Sequence, residues 1–291
     1  MRHANRFKFS AMAACLVLFA LACATGQFFY TVAPLAAAEP PKVANRIQAN
    51  NGNGANGPAG HQLLPFIELA RTSRDAVKAV KDYQAVFTKK ELVGRTLYSG
   101  QMILKMRHEP FSVYLQFVDQ NKGREVLYAG PRYQYLMKAH EAPGTFSSLA
   151  GTVSLEPNCA RAMAEGRHPI TQIGMVKMME TLIVGWESEM KYNDPDDPKV
   201  YYYPNAKLAG QIPCKACITR HESGKHKYHF YETRVFFDKK SNFPIRLEEY
   251  GPPDAANPDG YLIEQYIYTN IRTNVGLTDN DFDTRNPQYH F

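Results

Sequence analysis

The sequence predicts an α+β fold, mainly antiparallel β: a curved, half-open β-barrel with two helices packed on its concave side. Three observations predict it. About ten short segments alternate apolar and polar residues, and they are separated by turns of only a few residues. Connections that short join antiparallel neighbours. Two longer segments instead repeat their apolar residues at helical spacing. The aromatic residues run to 18 Tyr and 16 Phe against one Trp, a bias that suits a pleated, half-buried surface.

The first helix is expected from about Gln62 to Lys81, where Leu63, Phe66, Ile67, Ala70, Val77 and Val80 form one stripe. Five strands should follow: Tyr83 to Leu92, Leu97 to Arg107, Phe111 to Val118, Glu125 to Ala129 and Tyr133 to Ala139. Gly94, Pro110, Gly123 and Gly130-Pro131 supply the breaks. In the third, Phe111, Val113, Leu115 and Phe117 share one face and Ser112, Tyr114 and Gln116 the other. Residues 141–169 show no clear period. A second helix is expected from about Thr171 to Glu187. Thr171 would cap it, and Met175, Met178, Met179, Leu182, Ile183 and Trp186 fall on one apolar stripe. The acidic loop YNDPDDPK (192–199) ends the pattern. Strands resume at Val200 to Tyr203, Ile212 to His221, Tyr228 to Phe237, Ile245 to Tyr250 and Leu262 to Thr273.

Residues 1–38 read as a signal peptide. Arg2, Arg6 and Lys8 precede a charge-free run from Phe9 to Ala24, and Ala36-Ala37-Ala38 stands before Glu39. The strongly apolar part is shorter than the roughly 20 residues of a spanning helix. Cleavage is therefore expected, with no transmembrane anchor afterwards, and the protein should be exported to the periplasm or cell envelope. Lipid attachment at Cys23 would want a large apolar residue three places upstream, where Ala20 stands. Residues 39–60 form a flexible Asn/Gly/Pro-rich linker. Its G-x-G-x-x-G (Gly52, Gly54, Gly57) has a polar tract before it and Pro58 after it, so it is no nucleotide loop. Residues 61–291 then make a single β-rich domain. Of the net charge of +6, three positive charges lie in the leader. The remainder is too small and too evenly spread to argue for nucleic acid.

Cys15 and Cys23 leave with the leader. Cys159, Cys214 and Cys217 do not amount to a disulfide framework. Cys214-Lys-Ala-Cys217 has redox spacing, but such a pair opens a helix, and Ile218, Thr219 and Arg220 continue as a strand. Two ordinary thiols, or a structural disulfide between Cys214 and Cys217 at a bulge, remain. His221, His226 and His229 raise the question of zinc. An extended strand sets Cys217 and His221 about 13 Å apart, so no metal site is expected. Asp279, Asp281 and Asp283 alternate as calcium ligands do, but Thr284 and His290 stand where the loop wants Gly and Glu. A capping or solvated role is expected. No G-x-S-x-G, H-E-x-x-H or P-loop occurs, so no catalytic residue and no cofactor is assigned, and an enzyme is the least favoured class. That class would require convergent polar groups with perturbed pKa values in a cavity.

Five stretches carry a family resemblance: LKMRHEPFSVYLQF (104–117), GREVLY (123–128), RHPIT (167–171), FPIRLEEY (243–250) and NVGLTDNDFDTRNPQYHF (274–291). Together they resemble the bacterial exported family DUF1571, a domain of unknown function. Its element order is in turn similar to the outer-membrane lipoprotein carriers (LolA-like), which implies a half-barrel with a helix-lidded concave face for acyl chains. On that reading Arg107, Tyr114 and Arg124 are candidates for an anionic head-group site at the barrel mouth. Arg107 and Arg124 could equally pair with Glu125 or the tail aspartates in a structural network. Met175, Met178, Met179 and Trp186 are candidates to line the groove. The expected partner is a lipid, a lipoprotein or another amphipathic ligand. The alternative is a structural or protein-interaction module of the envelope with a filled barrel. The oligomeric state stays open.

Overall fold

The computed structural model of the chain describes residues 60–144, 151–222, 224 and 226–291. The expected leader and all of the linker but Gly60 lie outside the described residues. Helix α1 (Leu64–Lys78) comes first. Six strands follow: β1 (Asp82–Val93), β2 (Thr96–Arg107), β3 (Ser112–Phe117), β4 (Glu125–Tyr128), β5 (Met137–His140) and β6 (Val153–Leu155). Helix α2 (Met175–Glu189) leads to β7 (Lys199–Leu208), β8 (Ile212–Arg220), β9 (Glu232–Asp238), β10 (Pro244–Tyr250) and β11 (Leu262–Thr273).

The strands form one antiparallel sheet in the order β6-β5-β4-β3-β2-β1-β11-β10-β9-β8-β7. Each half is a meander, and the last strand returns to pair with the first, from Glu91 opposite Glu264 to Tyr83 opposite Thr273. The sheet is not closed: β6 and β7 are its edges. Register shifts at Gln84/Val86, Tyr203/Ala206, Pro244/Arg246 and Glu249/Tyr250 interrupt the ladders. Such irregularities bend a strand and increase its twist, and the sheet curves around both helices.

The main core forms where the helices meet the concave face. Phe66 and Ile67 of α1 and Met175, Met179, Ile183 and Trp186 of α2 pack with Tyr83, Phe87 and Leu104 of the sheet. The Phe66 and Trp186 rings stand 5.9 Å apart. Each such side chain contributes about 1.5–3 kcal/mol on burial. The alternation expected in β3 holds. Val113 and Leu115 join this core, while Tyr114 joins a second cluster with Leu127, Ala129 and Phe282.

That second cluster is covered by the carboxyl-terminal tail. Tyr289 stacks on Tyr114 at 4.0 Å. The tail aspartates are structural. Asp279 pairs with Arg107 at 2.8 Å, Asp281 caps the 3-10 turn begun by Thr278 and pairs with Lys105, and Asp283 pairs with Arg132 and Arg285.

Several boundaries differ from expectation. Helix α2 starts at Met175, not Thr171, because Ile170–Gln172 is a 3-10 turn and Gly174 takes φ 104°. A side chain there would be strained, and an added Cβ would meet Met106 Cε at 2.4 Å. The strand expected from Tyr133 begins only at Met137, since Gly130–Tyr133 is a 3-10 turn and Gln134 and Tyr135 have φ 54° and 62°. The segment read as patternless contains β6, while β9 starts at Glu232 rather than Tyr228 and β7 runs on to Leu208.

Candidate functional site

A cavity of about 1000 Å³ lies between the concave face, helix α2 and residues 161–170. Its apolar wall includes Phe87, Met102, Phe117 and Leu247 from the sheet and Met178, Leu182 and Trp186 from α2. Met side chains in such a wall adapt to irregular apolar shapes.

The seam between the two meanders gives this cavity its polar part. Glu91 of β1 stands directly opposite Glu264 of β11, and Glu264 directly opposite Glu249 of β10. All three line the cavity and are buried. Like charges directly opposite one another destabilise a sheet, so each carboxyl needs a counterweight. Glu91 has three: the Lys89 ammonium at 3.0 Å, the Arg167 backbone N–H at 2.8 Å and the Tyr266 hydroxyl at 2.5 Å. Glu264 accepts from Arg167 Nε at 2.7 Å and lies 3.0 Å from His168 Nε2. The backbone at Gly166 passes so close that a Cβ would sit 3.2 Å from both Glu91 Oε2 and Lys89 Nζ. Farther along the wall, Arg124 pairs with Glu141 at 2.8 Å and Glu165 at 2.6 Å.

Glu249 differs. Among the described residues no cation lies within ion-pair distance of it. Burial first, and then the hydrogen bond and charge of Glu264, push its carboxyl well above the usual carboxylate range. Of the pair it is the carboxyl that holds a proton more readily. Burial also acts upward on Glu264, but the hydrogen bonds from His168, Glu249 and Arg167 outweigh it and bring Glu264 down to about 2. The same bond to Glu264 raises His168 against the opposing effect of burial. Burial and the neighbouring carboxylates raise Tyr266, which stays a donor. The result is one protonated and one ionised carboxyl side by side, the arrangement like charges in a confined site adopt.

The family described as "Protein of unknown function (DUF1571)" matches residues 80–291. The chain belongs to the DUF1571 family. No curated protein sequence matches it. Solved structures give likenesses of low score. Mycobacterium tuberculosis lipoprotein LppX has a TM-score of 0.44 at 12% identity, covering 75% of this chain and 98% of that one. A putative outer-membrane lipoprotein-sorting protein domain from Vibrio parahaemolyticus has a TM-score of 0.34 at 11% identity, covering 75% and 96%. A LolA superfamily protein from Nitrosomonas europaea has a TM-score of 0.28 at 9% identity, covering 74% and 96%. Likenesses at these scores do not say what this DUF1571 chain binds.

The structure divides the residues singled out in the sequence. Arg124, Met178 and Trp186 line the cavity. Met175 and Met179 point from the same helix into the packed core and are fully buried there. Arg107 and Tyr114 lie with the tail on the other face. Arg107 pairs with Asp279 and stacks on Phe282, and Tyr114 stacks on Tyr289. They belong to a structural network rather than to the cavity mouth. Cys214 and Cys217 are free thiols, which removes the disulfide alternative. Positions three apart on a strand are separated by about 10 Å, beyond the roughly 7 Å that a disulfide tolerates between Cα atoms. Burial, the largest cause for each, pushes Cys214 up to about 11 and Cys217 higher still. His221 is held by Asp197 at 3.1 Å and stacks on Tyr228. Among the described residues no group of three or more His, Cys, Asp or Glu could hold a metal ion.

The carboxyl row escaped the sequence reading, yet its signal was present. Glu91 has the strand parity of Tyr83 and Phe87, Glu249 that of Ile245 and Leu247, and Glu264 that of Tyr266 and Tyr268. A carboxylate on the apolar parity of three separate strands is the anomaly that marks the site.

Proposed function

We propose that the protein is exported to the cell envelope and binds the apolar part of an amphipathic ligand, such as a lipid or a lipoprotein acyl chain, in the concave cavity. One observation carries this reading: a largely apolar space of about 1000 Å³, roofed by α2 and open among packed side chains. Ligand sites are commonly apolar concavities of roughly 300–1,000 Å³ with a few placed polar groups. An empty space of this size weighs against the filled-barrel module. The signal-like leader and the linker support export. Among the described residues no helix is long and apolar enough to cross a membrane.

An acid–base enzyme is the second reading, favoured by the adjacent Glu249 acid and Glu264 carboxylate. It has less support, because Arg167 and His168 already occupy Glu264 and leave it poorly placed to take a proton from a substrate.

The chain's single Trp tests the binding reading directly, since Trp186 lines the cavity and is 1% exposed. A lipid brominated along its acyl chain is expected to quench Trp186 fluorescence saturably, while a water-soluble bromide ion does not. Equal quenching by both, or none by the lipid, would contradict acyl-chain binding here.

A further inference from the structure

We propose that the cavity selects ligands with a cationic head group, a protonated amine on an apolar body, and that Glu249 is the group that receives it. The inference rests on the amphipathic-ligand reading above and names the chemistry of that ligand's head.

The argument is one of charge matching. Of the cations that line the cavity, Lys89 is paired with Glu91, Arg167 with Glu264, and Arg124 with Glu141 and Glu165, while Arg161 is exposed. At the buried seam an anionic head would have to displace Glu91 or Glu264 from its cation while facing the other carboxyls. The acidic side has unused capacity. Glu249 is 6% exposed, lines the cavity and has only another carboxyl as its partner. Glu189, at the end of α2, lines the same cavity. Its Oε2 is buried without a hydrogen bond, with the His221 imidazole at 3.4 Å as the nearest charge partner.

A neutral acid in an apolar space is held neutral by what the space lacks. An ammonium placed beside Glu249 would supply that missing counter-charge, and the carboxyl would then ionise. Around it stand Glu264 of β11, Glu91 and Lys89 of β1, Arg167 and His168 of the 161–170 segment, and Glu189 of α2. Of these, Arg167 is the cation already acting on Glu249, and it is committed to Glu264. Binding of one ammonium should thus expel about one proton to solvent, taken from Glu249. The apolar body of the ligand would lie along Trp186, Met178 and Phe87.

The test uses three probes of one chain length, dodecylamine, dodecanol and dodecanoate, each below its micelle concentration. They are titrated calorimetrically into the purified protein in two buffers of different ionisation enthalpy. The expected result is that dodecylamine binds at least about tenfold tighter than the other two and releases about one proton, which they do not. In Glu249→Gln the amine should fall to the affinity of dodecanol and lose its proton release, with dodecanol unchanged. The substitution replaces a neutral acid by a neutral amide of similar shape, so circular dichroism should match the wild type. Equal binding of all three probes, or tighter binding of dodecanoate, overturns the cationic head-group site and leaves the amphipathic-ligand reading intact. Amine preference surviving in Glu249→Gln overturns the role of Glu249. Binding of none of the three overturns both readings.

Discussion

Glu249 and Glu264 are the same residue type on neighbouring strands, and their surroundings drive them in opposite directions. Glu264 meets Arg167 and His168, and Glu249 meets apolar wall and Glu264 itself. An acid whose folded-state pKa is raised stabilises the fold below its ordinary range near 4.5, and that contribution is lost as pH rises towards the folded-state value. Glu249→Gln removes the titration. Its stability relative to wild type should therefore grow between about pH 5 and about pH 8, by up to about 1.4 kcal/mol per unit. Denaturant midpoints at the two pH values measure this. A gap that does not change with pH would mean that Glu249 is ionised in the folded protein. The cysteines obey the same logic of burial. Cys159 is half-buried, whereas Cys214 and Cys217 are fully buried with raised thiols. Of these three, a maleimide should label Cys159 alone under native conditions and all three in denaturant. Native labelling at Cys217 would show that β8 opens.

Helix α2 depends on the residue before it. Gly174 turns the chain from the 3-10 turn into the helix at a φ that L side chains rarely adopt, and the Met175 N–H at this junction donates to the Tyr83 hydroxyl at 3.2 Å. Gly174→Ala adds both backbone strain and a clash with Met106. A loss of roughly 1–3 kcal/mol is expected on chemical denaturation. A neutral outcome would mean that the junction relaxes freely. The helix itself was legible because six apolar residues recur on one stripe, and all six are buried. Its start was not, because Thr171 has the chemistry of a cap while the strain that fixes the boundary resides in a glycine whose φ no pattern reveals. The strand misplaced at Tyr133 has a similar cause: Gln134 and Tyr135 adopt left-handed conformations that their residue types do not announce.

The domain is two meanders joined at one seam, and the seam explains what the sequence could and could not say. Alternation along β3 sorts Val113 and Leu115 from Tyr114, so the two faces were readable from one strand. The carboxyl row was not, because it joins Glu91 to residues more than 150 positions later, and only the β1–β11 pairing brings them opposite. The tail shows the other case: the capping role expected for its aspartates holds at Asp281, and the network expected between Arg107 and the tail aspartates forms at Asp279. Its motif-like residues, with Arg107 and Tyr114, look like a site in sequence because charges and aromatics cluster there, yet they pack the face away from the cavity. Their role is testable at this scale. Removing residues 277–291 would take away Phe282, strip the cover from Tyr114 and Leu127, and leave Lys105 and Glu125 without their tail partners. Losing one buried aromatic alone costs about 3–5 kcal/mol. The truncated protein should therefore unfold at lower denaturant and bind a hydrophobic dye that the intact protein does not. No cavity-lining residue belongs to the tail. Wherever the truncated domain remains folded, brominated lipid should still quench Trp186 with unchanged affinity. Quenching lost from a folded truncated protein would mean that the tail holds the sheet in the curvature the cavity requires.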